Sequence, residues 1–182
     1  MPITFQTEPL FPNLFFEMRP LLERHWDEIA LKDAFGSVDI DEDAYRALYE
    51  RGMLHVTTAR DGGRLIGYAV YFLMHNFHYK TRRVAEADVF FLLPEYRKGL
   101  CGFQLLREAD KALSGIVDII VNKVKAAHDC GSLFERMGYH LAEKSYMKGW
   151  GNGVYIFNRR ACRYGAEYGR RLPAGKGSEI SS

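Results

Sequence analysis

The sequence predicts an α+β (layered α/β) domain, a mixed sheet with helices on both faces. Three observations carry this. Runs of helical and β periodicity follow one another in the order β-α-α-β-β-β-α-β-α-β-β. Two β-prone runs flank Asp61-Gly62-Gly63, residues that supply the positive φ of a tight hairpin turn. A strand, a glycine-containing turn, a helix and another strand succeed one another at the centre of the chain.

Each element has its own reason. Residues 3–7 alternate as a first strand. Residues 14–31 place Leu14, Phe15, Met18, Leu21, Leu22, Trp26 and Ile29 on one helical face. Pro20 inside that run either starts a second helical segment or kinks one helix, because it lacks the backbone donor. Residues 41–51 read as a second helix, with Asp41 as N-cap and Gly52 as the left-handed stop. Leu54–Arg60 and Arg64–Phe72 form the hairpin, and His75–Arg83 reads as a loop. Glu86 to Leu93 ends in the apolar block 89–93 and reads as a central strand buried on both faces. Pro94 stops it. A turn over Arg97–Gly102 leads to a helix running to about Ser114, with Gly115 as its stop. Val117–Lys123 reads as a second buried strand, about Gly131–Met137 as a short helix, and Tyr139–Met147 and Val154–Asn158 as two closing strands. From Arg159 the pattern ends, so the expected division is a folded unit over 1–158 and a basic, flexible tail over 159–182.

Composition excludes several classes. The 182 residues are 47% hydrophobic and 26% charged, the mix of a folded globular chain. The net charge is only +2, which gives no general pull toward nucleic acid or an anionic membrane. The tail holds six basic and two acidic residues, which leaves 19 basic against 21 acidic in the body. Its arginines interleave with Tyr164 and Tyr168, a pattern that fits a solvated tail or a nucleic-acid contact. The apolar block 89–93 is far too short to span a bilayer, which needs about 20 residues. No basic stretch followed by an apolar one opens the chain. Cys101, Cys130 and Cys162 form neither a disulfide framework nor a zinc pattern. These features lead us to expect a cytoplasmic protein. His75 and His78, three apart beside Tyr79, are too few for a zinc site and read as loop residues that could border a cleft.

The segment ADVFFLLPEYRKGLCGFQLL, residues 87–106, carries the chemistry. A buried strand enters a helix through Arg97-Lys98-Gly99-Leu100-Cys101-Gly102. Free amides at a helix start, together with the helix dipole, form an anion site. Gly99 and Gly102 let a ligand approach the backbone, and Arg97 and Lys98 add positive charge. The anion implied is a phosphate or pyrophosphate. The same residues also fit a βα turn that merely contains two glycines.

This segment resembles the acyl-CoA-binding core of the GCN5-related N-acetyltransferase (GNAT) superfamily, where a strand precedes (Gln/Arg)-x-x-Gly-x-(Gly/Ala) and a helix. Arg97 matches the first position and Gly102 the last. Leu100 replaces the middle glycine, and Gly99 stands one step earlier. SLFERMGY, residues 132–139, resembles the family's LYxxxGF block. The overall texture, including HWDEIAL near residue 25, is similar to small acetyltransferases encoded by bacteriophages, which would place the protein in the host cytoplasm.

The resemblance implies a mostly antiparallel sheet and direct acetyl transfer from acetyl-CoA to a primary amine of a small molecule or a protein. The pantetheine arm would lie along the main chain of Phe90, Phe91 and Leu92. Backbone amides across 97–102 would hold the pyrophosphate, with Phe103 near or beneath the cofactor. Glu86 and Asp88, two apart on one strand, share a face and are the candidates for the base; both also fit a solvated strand start. The family's acidic tyrosine is replaced by Phe134, which has no proton to give. His128, in the turn where the family often carries an asparagine, could contact the cofactor or move a proton, or be a surface residue beside a capping Asp129. Tyr139 and Tyr146 are weaker acid candidates. Cys101 reads as a small packing residue. Family members are often dimers, so a homodimer is possible. A non-catalytic protein that keeps the fold and binds CoA or a partner is the alternative.

Overall fold

The computed structural model describes residues 2–29 and 38–146. Its sheet has five strands in the order β1 (Ile3–Thr7), β2 (Leu54–Asp61), β3 (Arg64–His75), β4 (Arg83–Leu92) and β5 (Ile119–Val121). Neighbours from β1 to β4 are antiparallel, and β5 runs parallel to β4. Among the described residues there are four α-helices: α1 (Phe15–Ile29), α2 (Glu42–Glu50), α3 (Cys101–Leu113) and α4 (Gly131–Arg136). This is the mixed, mostly antiparallel layered fold expected from the sequence.

Alternation along the strands builds two cores. Tyr68, Val70 and Phe91 meet Leu14, Phe15 and Met18 of the first helical region. Ala69, Tyr71 and Ala87 point the other way, to Leu106, Ala109 and Leu113 of α3 and Phe134 of α4. The amphipathic face read over 14–31 is therefore real. A helical turn over Leu10–Leu14 precedes α1, and the helix continues through Pro20, which lies on its exposed side. Asp41 caps α2 by accepting from Ala44 N at 2.9 Å, and Gly52 follows with φ +65°.

Several expectations are corrected. β3 runs to His75 and β4 begins at Arg83, so the loop shrinks to residues 76–82: the hairpin pairing continues through His75↔Arg83. The stretch expected as a buried strand over Val117–Lys123 contracts to the three residues of β5. It pairs only with Val84–Glu86, and Ile119 is 48% exposed because β5 has no described strand on its outer side. Tyr139–Tyr146 forms no strand: no described strand pairs with it, and Tyr139 is tied instead to α3, its hydroxyl donating to Asp110 Oδ1 at 2.5 Å. His25 of α1 is buried. Val154–Asn158, the tail and residues 30–37 lie outside the described residues, as does the 158/159 division.

Two stability predictions arise here. A β-carbon on Gly67 would sit 2.8 Å from both Leu92 Cδ1 and the Phe91 carbonyl oxygen. The carbonyl belongs to the β4 ladder and has little room to yield. Gly67→Ala is expected to lower stability by about 2 kcal/mol, within the usual range for overpacking, measured as a lower urea midpoint.

Arg60 ties the hairpin to β1 and α1. Its Nε and second guanidinium nitrogen donate to Glu8 at 2.6 and 2.8 Å, and its third nitrogen donates to Glu17 and the Gly63 carbonyl, each at 2.8 Å. Thr58 also donates to Glu8. Burial alone would raise the Glu8 carboxyl, but the donors from Arg60 and Thr58 outweigh it and hold it below the usual value. Its contribution is thus present above the ordinary glutamate value and lost as pH falls through the lowered one. Glu8→Gln should cost about 1–3 kcal/mol at pH 7. The gap to the unsubstituted protein should close on acidification below about pH 4.5, followed by chemical denaturation across pH.

Candidate active site

β4 and β5 part company where the chemistry was expected. Their pairing ends at Glu86↔Val121, while β4 continues to Leu92 with β3 on one side and no described strand on the other. At the same point β4 bulges. Val70 pairs with Val89 and Tyr71 with Ala87, which makes Asp88 the extra residue of the bulge. An open cleft and a re-aimed carboxylate therefore coincide.

Asp88 turns toward α2. Tyr45 donates its hydroxyl to Asp88 Oδ2 at 2.5 Å. Burial pushes the Asp88 carboxyl up, while the Tyr45 hydroxyl and the charge of Lys123 act downward. Burial beside Asp88 pushes the Tyr45 phenol well above its ordinary range, so it stays protonated and remains the donor. Glu86 lies on the same face, opposite Phe72, and is paired with the Lys123 ammonium. The two carboxylates thus share a face but differ in setting: one is half-buried with a neutral donor, the other is paired with a cation.

The three peptides of the cleft wall are not equivalent. The Phe91 carbonyl faces Gly67 of β3. The Leu92 carbonyl accepts from Arg97 Nε at 2.8 Å. Phe90, two residues before Leu92, presents its peptide to the same open edge by alternation. The Phe90 ring packs edge-on against Phe134, centroids 5.7 Å apart. Phe134 is itself buried and works as core. The Phe91 ring stacks on His25 at 4.7 Å.

The turn after β4 begins with a short helical turn at Pro94–Tyr96 and passes Gly99 at φ +88°, a left-handed value that glycine adopts without strain. The helical ladder of α3 opens with Gln104 N donating to the Leu100 carbonyl at 2.8 Å, so the amides of Cys101, Gly102 and Phe103 precede it. The first turn holds no acidic residue. Lys98 is exposed and makes no ion pair among the described residues. The Arg97 side chain is otherwise engaged: it binds Glu28 through both terminal nitrogens at 2.5 and 2.7 Å and lies 5.3 Å from the Phe91 centroid. Its charge pins α1 to the turn, and the free positive charge comes from Lys98 and the helix start. Leu100 is 68% exposed. The Cys101 thiol is buried and pushed up, which suits packing and not nucleophilic attack. A β-carbon on Gly102 would stand 3.8 Å from Leu92, an ordinary contact.

His128 is exposed in a helical turn over Ala126–His128. Asp129 Oδ1 accepts from Gly131 N at 2.7 Å in a turn just ahead of α4, whose N-cap is Cys130 and not Asp129. Tyr146 is 93% exposed, and Tyr139 is committed to Asp110. His75 and His78 are exposed, and among the described residues no three His, Cys, Asp or Glu cluster to hold a metal. No described helix is long and apolar enough to cross a membrane.

Sequence reasoning missed Tyr45, which lies within the helix expected over 41–51. It also missed Asn122, which accepts from the Tyr71 hydroxyl at 3.1 Å just after β5. A phenol on an apolar helix face was the available signal for Tyr45; its meeting with Asp88, 43 residues away, depends on the bulge.

Comparison with known proteins agrees with this architecture. No curated protein matches the sequence. An aminoglycoside acetyltransferase from an uncultured soil metagenomic sample superposes with a TM-score of 0.63 at 11% identity, over 82% of this chain and 95% of that one. A ribosomal-protein-alanine N-acetyltransferase from Brucella melitensis gives 0.59 at 20% identity, over 82% and 100%. A predicted acetyltransferase with acetyl-CoA from Clostridium acetobutylicum gives 0.60 at 10% identity, over 81% and 96%. At these identities the likeness is one of fold. Nothing in them supports the narrower resemblance to phage enzymes. The sequence model of the acetyltransferase (GNAT) family matches residues 17–139, more than half of the chain, and the chain belongs to that family.

Proposed function

We propose that the protein transfers an acetyl group from acetyl-CoA to a primary amine of a small molecule or a protein. The observation that carries this reading is the coincidence of the β4/β5 parting with the Asp88 bulge. The residues fit the cofactor. Phe90 offers an open peptide edge, and the amides of Cys101, Gly102 and Phe103, with Gly99 and Lys98, suit a pyrophosphate. When bound there, acetyl-CoA supplies an activated acetyl thioester.

Asp88 is the base in this account. Burial raises its proton affinity, which suits proton abstraction near neutral pH. Asp88 would take the amine proton, directly or through water, as the amine nitrogen bonds to the acetyl carbon and the thioester carbon–sulfur bond breaks, and the same proton would pass through water to the departing sulfur. Glu86 is ion-paired with Lys123 beside the site. His128 stands in an exposed position.

Tyr45 orients Asp88 and restrains its proton affinity. Its loss removes a group that acts downward on a carboxyl already raised by burial. Tyr45→Phe should therefore move the acidic limb of the pH–kcat/KM profile to higher pH. An unchanged limb would detach Asp88 from the titration.

The non-catalytic reading has one observation in its favour: Phe134 is core and Tyr139 is bonded to Asp110, so neither position offers a free tyrosine hydroxyl as an acid. Release of free thiol from acetyl-CoA, against a panel of amines and peptides, separates the two. Amine-dependent release supports the enzyme. Saturable cofactor binding without any release supports the binding protein.

A further inference from the structure

A partly open apolar cavity of about 70 Å³ lies beside Asp88 on the α1/α2 face of the sheet. Leu22 of α1, Val38 and Ile40 before α2, and Val70 and Val89 of the sheet line it, with His25, Trp26 and Tyr45. Two of these touch the base directly in chain or space. Val89 is its neighbour in sequence, and Tyr45 is its hydrogen-bond donor. Among the described residues, no lining side chain is a carboxylate, lysine or arginine. Of the wall's polar groups, the Tyr45 hydroxyl bonds Asp88 and His25 Nδ1 shares a 3.0 Å hydrogen bond with the Tyr68 hydroxyl, while the Trp26 indole nitrogen is buried without a partner among the described residues. Burial, acting with the charges of Lys125 and Arg97 against that of Glu28, pushes His25 down to about 4, so its ring is neutral at pH 7. An uncharged void of this kind leaves its lining atoms without partners, and an apolar group restores those contacts. Its volume is about half that of the ~150 Å³ apolar cavity that admits benzene, which suits a branch of about four carbons.

We propose that this cavity receives the apolar substituent of the acceptor, so that the substrate is a primary amine bearing a short branched aliphatic group and not a polycation. The inference rests on the transferase reading and names the substrate class of that site. With the amine beside Asp88, the branch fills the void between α1 and the sheet. An aminoglycoside or polyamine would carry charge toward walls that offer it no partner.

The test compares isoamylamine, ethylamine and spermidine. Turnover is followed by thiol release, and amine binding to the protein saturated with CoA by calorimetry. Isoamylamine should exceed ethylamine in kcat/KM by about tenfold or more, from the three added carbons, and spermidine should be poorest. Val38→Phe, at a partly exposed position, should fill the cavity and bring the isoamylamine/ethylamine ratio to about one; Ile40→Phe is the second filling variant, and circular dichroism melts confirm that each folds. Equal activity on the two alkylamines, a preference for spermidine, or a ratio unmoved by both variants would overturn the proposal while leaving the transferase intact. If no amine is acetylated, the transferase reading fails and calorimetry decides the cavity alone: isoamylamine binding lost in the filled variants supports it, and no binding to the unsubstituted protein refutes it.

Discussion

Asp88→Asn is expected to lower kcat by about a hundredfold to ten-thousandfold, the usual contribution of general base catalysis, with little change in affinity for acetyl-CoA. The side chain keeps its shape and can still accept from the Tyr45 hydroxyl, so the bulge and the α2 contact survive. What disappears is a group able to take the amine proton. Its position at the extra residue of the β4 bulge is what brings it to the mouth of the cleft. Glu86→Gln is the internal control. Its carboxylate is already ion-paired with Lys123, so its loss should reduce kcat far less. Equal losses in the two variants would remove the assignment to Asp88, and an unimpaired Asp88→Asn enzyme would place the base elsewhere.

Gly102→Asp is expected to weaken acetyl-CoA binding by about tenfold or more, through repulsion of the pyrophosphate at the start of α3. The apo protein should be unharmed. A β-carbon at Gly102 meets Leu92 at an ordinary distance, glycine is a poor helix former, and an aspartate in the first turn favours the helix dipole. The melting temperature without cofactor should stay level or rise while affinity falls. That opposition of signs separates an anion site from a merely structural turn. A variant that binds the cofactor normally would show that the α3 amides do not face a phosphate.

The pattern of success from sequence follows from what local chemistry determines. Asp41, Gly52 and the Asp61-Gly62-Gly63 turn act within a few residues, and their elements appear where expected. The strand-turn-helix at 87–106 was legible for the same reason. β5 was over-read because an apolar run does not reveal how much of it pairs; here three residues pair with β4, and no described strand lies on the outer side. Glu86 and Asp88 were legible as a pair sharing a face, but their difference was not. It comes from Lys123 on one side and Tyr45 on the other, contacts between residues far apart in sequence. Arg97 was read as a phosphate ligand from its position alone, whereas its guanidinium is held by Glu28 of α1. The cavity, made jointly by α1, residues 38–40 and the sheet, has no sequence signature at all.

The central claim is that the parted β4/β5 edge and the α3 start form one acetyl-CoA site beside Asp88. Titration with acetyl-CoA, followed residue by residue through backbone amide NMR shifts, tests it most directly. The account predicts saturable changes confined to residues 87–92, 97–103 and the segment 122–128. No saturable change at millimolar acetyl-CoA, or changes clustered away from these three segments, would contradict it.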